Sequence, residues 1–311
     1  MSDGATVYVL GAGAIGSALA VHLQASSRKV VLVRTSRSGL AEAPDTLVVR
    51  SLQGDEVRAT LPAVSLDRLD RFDGILVISA KSYANPAIAA ALAARGAVAP
   101  LVLLQNGLGV EEPFLAAGLP GVYRCVIFAT GEKREDGSVS FGSVRPSPIG
   151  VVRGDRDALH QIVQALDTPA FRFAEDGDIR RTVWQKAIIN AVFNSICPLL
   201  EIDNGVFHRE EDARRLAGGI VTEGVAVARS LGVDLDRDGL MQQILAISRG
   251  SDGQAISTLQ DIRRGRPTEI ESLNLEIARV GGRATPPVPA ERTELLGRMV
   301  ALKATLRQAA R

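Results

Sequence analysis

The residues best spaced for chemistry lie in one apolar segment, Trp184-Gln185-Lys186-Ala187-Ile188-Ile189-Asn190-Ala191-Val192-Phe193-Asn194. Lys186, Asn190 and Asn194 stand at i, i+4 and i+8, so a helix here aligns them along one face. Ile188, Ile189, Val192 and Phe193 would bury the other faces. An ammonium and two carboxamides in so apolar a helix need partners for their polar groups. One such partner is a small molecule carrying a carbonyl, a carboxylate and a hydroxyl. Lysine, with an ordinary pKa of about 10.4, is protonated at neutral pH. It could hand a proton to a carbonyl oxygen that gains charge during reduction, which lowers such barriers by a factor of about 10² to 10⁴. A second reading stands equally: a lysine snorkelling to solvent and asparagines bonded to nearby backbone.

Reduction requires a hydride source, and the start of the chain offers a place for one. Gly11-Ala12-Gly13-Ala14-Ile15-Gly16 follows the apolar run Val7-Tyr8-Val9-Leu10 and opens a helical pattern from Ile15 to Gln24. In that strand–turn–helix context Gly11 permits the tight turn, Gly13 admits a pyrophosphate, and Gly16 lets helix and strand pack closely. The phosphates would lie on the open N–H groups of the helix end. The next strand-like run, Lys29 to Val33, ends in Arg34-Thr35-Ser36-Arg37 rather than in the acid that usually binds a ribose 2′-hydroxyl. A guanidinium and hydroxyls there suit a 2′-phosphate, with no carboxylate to repel it, which favours NADPH over NADH. Read alone, Arg34 and Arg37 are also ordinary surface charges.

Further polar residues punctuate loop positions. Ala80-Lys81-Ser82 follows the strand-like Gly74 to Ile78, and Gln105-Asn106-Gly107-Leu108-Gly109 follows Leu101 to Leu104. In open α/β sheets these strand ends face the ligand crevice. Asn106-Gly107 is also a good turn, and the two readings are compatible. Near the far end, Ser257-Thr258-Leu259-Gln260-Asp261 precedes Arg263-Arg264-Gly265-Arg266-Pro267-Thr268-Glu269. Gly265-Arg266-Pro267 should end one helix and Thr268 cap the next, with Glu269 in its first turn. Taken by itself, Glu269 reads better as a solvated charge paired to an arginine than as a site residue.

These positions need a frame. Up to about residue 175 strand-like runs alternate with helical patterns such as Ala87 to Ala94, which predicts an α/β unit with a mostly parallel sheet. Tyr123 to Ile127 continues the sheet, and Ser138 to Gly142 with Ile149 to Val152 resembles a hairpin at its far side. Asp176-Gly177-Asp178 marks the boundary between residues 1–177, a Rossmann-type nucleotide-binding domain, and residues 178–311, an all-helical one. Helices are expected over Ile179 to Leu199, Arg209 to Leu231, Leu240 to Arg249, Gln254 to Arg263, Ser272 to Val280 and Glu291 to Leu306. Such a pair leaves a cleft in which small substrates usually bind. The length of 311 residues supports two cores, and the net charge of +1 gives no basic field for nucleic acid or an anionic membrane. No segment is apolar enough to span a bilayer and no signal peptide precedes the first strand, so a cytoplasmic protein is expected. Cys125 and Cys197 fit no metal spacing, His22, His160 and His208 are isolated, and no metal site is expected.

Taken together the segments resemble the ketopantoate (2-dehydropantoate) 2-reductase family over almost the full length. The likeness rests on Gly11 to Gly16, Gln105 to Gly109, Trp184 to Asn194, and Ser257 to Glu269. It implies NADPH-dependent reduction of 2-dehydropantoate to (R)-pantoate, a step towards pantothenate and coenzyme A. Lys186 matches the family's catalytic lysine and Glu269 its substrate-site glutamate. Asn106, Asn190, Asn194 and Ser257 match positions lining the substrate and nicotinamide pocket, and Asn204 matches a further pocket asparagine. Lys81 matches a cofactor-contacting lysine, and Arg34 falls where the family meets the 2′-phosphate. One departure is local: many members place proline directly after the third polar residue, whereas here Ser195-Ile196-Cys197 intervenes before Pro198. A paralogue reducing another 2-oxo acid or an imine, and a non-catalytic NADPH sensor, remain open beside the main reading, the sensor being disfavoured by Lys186 and Glu269. The C-terminal helices could support a homodimer.

Overall fold

The computed structural model describes residues 4–35, 44–69 and 72–310; Ser36 and Arg37 lie outside the described residues. The chain forms two compact units, one of Met1–Gln105 with Val110–Ile179, the other of Asn106–Gly109 with Arg180–Arg311.

The first unit runs β1 (Val7–Leu10), α1 (Ala14–Ala25), β2 (Val30–Arg34), β3 (Asp45–Ser51), β4 (Glu56–Leu61), β5 (Ala63–Ser65), β6 (Ile75–Ile78), α2 (Asn85–Ala94), β7 (Leu101–Leu103), α3 (Glu112–Ala116), β8 (Val122–Cys125), β9 (Ala129–Lys133), β10 (Val139–Ser143), β11 (Ser147–Arg153), α4 (Arg156–Leu166) and β12 (Phe173–Glu175). Eight strands make the main sheet, in the order β12-β11-β8-β7-β6-β1-β2-β5. From β8 to β5 every neighbour is parallel. β11 runs antiparallel to β8, with β12 parallel to β11. Every residue of β1 and β6 is buried, as a parallel sheet covered on both faces requires. β2 flanks β1 on one side and β6 on the other, so the strand order reverses there. The carboxyl ends of β1 and β6 therefore border the switch point at which such sheets take ligands.

The expected hairpin of Ser138 to Gly142 with Ile149 to Val152 does not form. β10 pairs with β9 antiparallel and with β3 parallel, in a second sheet ordered β4-β3-β10-β9. β11 belongs to the main sheet instead. The link between them holds Pro146, and Pro148 is the second residue of β11; neither has the backbone donor a tight hairpin would use there. The second sheet lies against α1: the His22 ring sits 5.4 Å from that of Phe141, and Val139 and Phe141 are buried.

The second unit is helical: α5 (Ile179–Leu200, its first residue counted with the first unit), α6 (Val206–Arg209), α7 (Glu211–Ser230), α8 (Arg237–Gly250), α9 (Ser257–Arg263), α10 (Asn274–Arg283) and α11 (Glu291–Ala309). The helix expected from Arg209 to Leu231 forms as α7, starting at Glu211 because Glu210 is extended, at φ −115° and ψ 124°. Gly224 lets α7 approach α5, since a Cβ there would lie 2.7 Å from Ile188 Cγ1. Phe193 meets Phe207 edge-on at 4.7 Å. Along α11, Leu295, Met299, Leu302 and Leu306 form an exposed apolar stripe. Among the described residues no helix is long and apolar enough to cross a membrane, and no cluster of His, Cys, Asp or Glu is arranged to hold a metal ion.

His22 carries a pH-dependent part of the stability. Burial pushes its pKa below the ordinary 6.5, so the fold holds it neutral. The unfolded chain takes up a proton once the pH drops below about 6.5. The contribution is complete above that value and declines as the pH falls towards the folded pKa. His22→Gln removes the titrating group. The Tm advantage of the native protein over this variant should shrink on going from about pH 7.5 to about pH 5.5. A difference that does not change with pH would contradict the assignment.

Candidate functional site: a dinucleotide loop and a polar helix face

The first half of the site is the turn joining β1 to α1. Gly13 caps α1 in extended geometry without a side-chain bond, and no acidic residue lies in the first turn. The helical ladder begins with Ser17 N–H donating to Gly13 C=O at 2.9 Å, so the amides of residues 14–16 point out of the helix end. Gly11 sits at φ +113°, and a Cβ on it would be 2.5 Å from Ala80 N. A Cβ on Gly16 would be 2.2 Å from both Gly11 O and Ser79 Oγ, whereas one on Gly13 would meet nothing within 4 Å. Gly11 and Gly16 are thus required by the fold, and Gly13 keeps clear the space before the helix end. Half-buried Ala14 and Ile15 back the turn against Gly131 of β9, and Ala12 is half-buried beside them. Open amides, a positive helix end and a bare approach fit a dinucleotide pyrophosphate. Ser79, which sequence reasoning missed, holds the turn by donating its hydroxyl to Gly11 O at 2.7 Å.

Arg34 ends β2, at the expected place. The structure adds a carboxylate that the strand end itself lacks: Arg34 Nη2 lies 2.5 Å from Asp45 Oδ1, at the start of β3. Arg34 and Thr35 line a cavity of ≈ 210 Å³ whose far wall is the Ala84, Ala87, Ile88 and Ala91 face of α2. A flat apolar wall with a charged rim suits an adenine and its ribose.

The loops after β6 and β7 are joined by a buried pair of carboxamides. Asn85 Nδ2 donates to Gln105 Oε1 at 2.9 Å, and Gln105 Nε2 donates back to Asn85 Oδ1 at 2.7 Å. Gln105 also donates to Ala80 O at 2.6 Å, beside exposed Lys81, and Asn85 to Val110 O at 2.8 Å. Asn85 therefore fixes both ends of the Asn106–Gly109 segment. No local pattern marks Asn85 for this, because its partner is twenty residues away.

The helical unit gathers the remaining positions. Lys186, Asn190 and Asn194 follow one another along α5, the first two half-buried and Asn194 only 4% exposed. Asn194 Nδ2 donates to Asn190 O at 2.9 Å, as the backbone-bonded reading expected. Its Oδ1, however, is buried with no hydrogen-bond partner. The same holds for Oδ1 of buried Asn204. Asn204 is fixed through its backbone, which donates to Gln254 O at 2.9 Å and accepts from Ser248 Oγ at 2.7 Å. Next to it the Asp203 carboxyl is held down at about 2, chiefly by the Arg209 guanidinium 2.9 Å away and also by the Gly205 and Gly253 amides.

Glu269 does not lie in a helical first turn capped by Thr268. It precedes a single 3-10 turn, Ile270–Ser272, and α10 begins only at Asn274. The backbone of Leu273, at φ −111° and ψ −103°, is not helical, so a regular helix begins only after it. Half-buried Glu269 accepts Ser272 N–H at 3.1 Å and Ser272 Oγ at 3.0 Å on its carbonyl. Ser272 O in turn accepts Leu108 N–H at 2.7 Å. Gly107, at φ +94°, makes this contact possible, for a Cβ there would be 2.5 Å from Ser272 O. The Asn106 and Glu269 segments are thus brought together. Ser257 opens α9 on an exposed face.

Comparison with known proteins agrees with this arrangement. The family described as ketopantoate reductase PanE/ApbA matches residues 7–152, and its C-terminal counterpart matches residues 178–304. The chain belongs to the ketopantoate reductase family. It is accordingly an oxidoreductase whose family cofactor is NADP, on a Rossmann-type α/β fold with a helical second part. The 2-dehydropantoate 2-reductase of Halobacterium salinarum is 29% identical over 273 residues, 86% of this chain and 89% of that protein. The enzyme of that name from Archaeoglobus fulgidus is 26% identical over 276 residues, 88% and 90% of the two chains. Among solved structures, a PanE/ApbA family ketopantoate reductase from Ralstonia eutropha shares the fold with a TM-score of 0.82 at 24% identity, over 97% of this chain and 99% of that one. D-mandelate dehydrogenase, solved with NADH and anilino(oxo)acetate, shares it with a TM-score of 0.83 at 20% identity over the same fractions.

The glycine geometry separates fold from binding in this family member. Gly16→Ala drives a methyl into backbone and should lower stability by about 1–3 kcal/mol. Gly13→Ala meets no protein atom and should leave Tm unchanged while weakening NADPH binding severalfold or more. Thermal melts with and without NADPH check both, and a Gly13→Ala protein that binds NADPH normally would contradict the cradle.

Proposed function

We propose that this chain reduces 2-dehydropantoate to (R)-pantoate with NADPH, the nucleotide held by the first unit and the oxo acid by the second. The observation that carries the reading is the α5 face: an ammonium and two carboxamides in line, with a buried carboxamide oxygen left without a donor. An unsatisfied buried acceptor is costly and asks for a partner. NADPH, when bound, supplies the hydride for the carbonyl carbon. As that carbon–hydrogen bond forms, Lys186 gives a proton from its ammonium to the carbonyl oxygen, and the product is an alcohol. The neutral amine then recovers a proton from water. Asn190 donates to the substrate carboxylate without adding charge. The substrate's primary hydroxyl donates its one proton to the open oxygen of Asn194, with Asn204, Ser257 and Glu269 completing its recognition. Asn106 supports the nicotinamide and substrate, Arg34 takes the 2′-phosphate, and Lys81 meets the cofactor. NADPH is preferred over NADH, because no acid stands at the β2 end itself.

A related reductase acting on another 2-oxo acid is the second reading. It is favoured by one feature: α5 continues through Ser195-Ile196-Cys197 and contains Pro198, so the wall beyond Asn194 is this chain's own. For the assembly we infer a homodimer, supported by the apolar stripe of Leu295, Met299, Leu302 and Leu306.

The test is Lys186→Ala. Loss of the proton donor acts in the transition state, so kcat should fall by about 10² or more. NADPH affinity should stay close to normal, because the glycine turn and Arg34 are elsewhere in the sequence and fold. A variant with near-native kcat at saturating 2-dehydropantoate would leave Lys186 a snorkelling lysine.

A further inference from the structure

The 2′-phosphate end of the nucleotide cavity is charged in a way that the strand-end sequence does not reveal. Arg34 and Arg95 line it as cations. Against them stand two carboxylates: Asp45, paired to the Arg34 guanidinium at 2.5 Å, and Asp67, which lines the same cavity. β5 pairs with β2 so that Ser65 stands opposite Arg34, which brings the following turn and Asp67 to the rim. Arg95 is held in place by donating to Ala91 O at 2.8 Å and to Asp67 O at 3.2 Å. Among the described residues, Arg34 and Arg95 are thus accompanied by the carboxylates of Asp45 and Asp67.

A 2′-phosphate gains over a 2′-hydroxyl chiefly through positive charge at its binding site. Here the guanidinium at the end of β2, that of Arg34, is already paired. We propose that Asp45 is a specificity-determining residue that limits the preference for NADPH, so that the protein accepts NADH as well and discriminates by about tenfold or less. Asp45 acts through Arg34: its carboxylate neutralises the guanidinium and repels the incoming phosphate, while a nucleotide bearing a 2′-hydroxyl is indifferent to both effects. This inference rests on the nucleotide reading given under the proposed function.

The probes are 2′,5′-ADP and 5′-AMP, which differ only by the 2′-phosphate, titrated calorimetrically into the full chain. Asp45→Asn keeps the shape and removes the charge. It should tighten 2′,5′-ADP by about tenfold, the size of one such repulsion in a watery dielectric, and leave 5′-AMP unchanged. Asp45→Glu, which keeps the charge, should stay close to the native ratio. Arg34→Ala should weaken 2′,5′-ADP alone. An Asp45→Asn protein that is folded by circular dichroism but has an unchanged or lower 2′,5′-ADP to 5′-AMP preference would overturn the inference. Its carboxylate would then only orient Arg34. Failure of the native protein to bind either probe would instead overturn the nucleotide reading itself.

Discussion

Three segments meet at the switch point of the main sheet with no room for a side chain. Gly16 packs on Gly11 O and Ser79 Oγ, and Gly11 packs on Ala80 N, so the start of α1 is pressed onto the ends of β1 and β6. This closeness decides where the amides of the α1 end point. It also sets the loop after β6, from which Gln105 is held through Ala80 O and to which Asn85 belongs by sequence. The turn must be glycine for packing at two positions, and at the third a side chain would meet no protein atom within 4 Å. On the proposed reading one short motif serves stability and binding at once.

Unsatisfied polar atoms and balanced charges mark the rest of the site. Buried polar groups in folded proteins are nearly always hydrogen-bonded. The Asn85–Gln105 pair obeys this rule, each amide serving the other, and it is a rigid structural clasp. Asn194 and Asn204 break it, each with one carboxamide oxygen buried and bare. Their backbones are held by regular helix bonds or by Gln254 and Ser248, so the exception is confined to the side-chain oxygen. Asn274, 0% exposed between α10 and α11, likewise has a bare Oδ1, so an unpaired oxygen alone does not mark a binding face in this helical unit. At the nucleotide end, the Arg34–Asp45 pair shows a milder form of the same tension, a cation spent partly on its own fold.

The central strands and the glycine turn were legible in the sequence because their signals are local. Val7 to Leu10 and Gly74 to Ile78 are continuous apolar runs, and β1 and β6 occupy nearly those residues. Most helices of the second unit follow their apolar periodicity to within a few residues. The second sheet was missed, although β4 carries a clear period of two: Val57, Ala59 and Leu61 alternate with Glu56, Arg58 and Thr60. The misplaced hairpin arose because β10 was paired with the strand that follows it, whereas it pairs with the preceding β9 and with β3, about ninety residues earlier. In the site, spacing alone aligned Lys186 with Asn190 and Asn194. Asp45, Ser79 and Asn85 could not be found that way. Each acts through a partner brought to it by the fold, eleven, sixty-eight and twenty residues distant.

The account turns on the α5 face being shaped for one oxo acid. The most direct test is steady-state NADPH oxidation by the purified protein with 2-dehydropantoate and, in parallel, with pyruvate, 2-oxoisovalerate and phenylglyoxylate. The account predicts that 2-dehydropantoate gives the highest kcat/KM, ahead of 2-oxoisovalerate by about 10² or more, because the latter leaves the buried acceptors without the hydroxyl they require. Equal or faster turnover of 2-oxoisovalerate or phenylglyoxylate would contradict it.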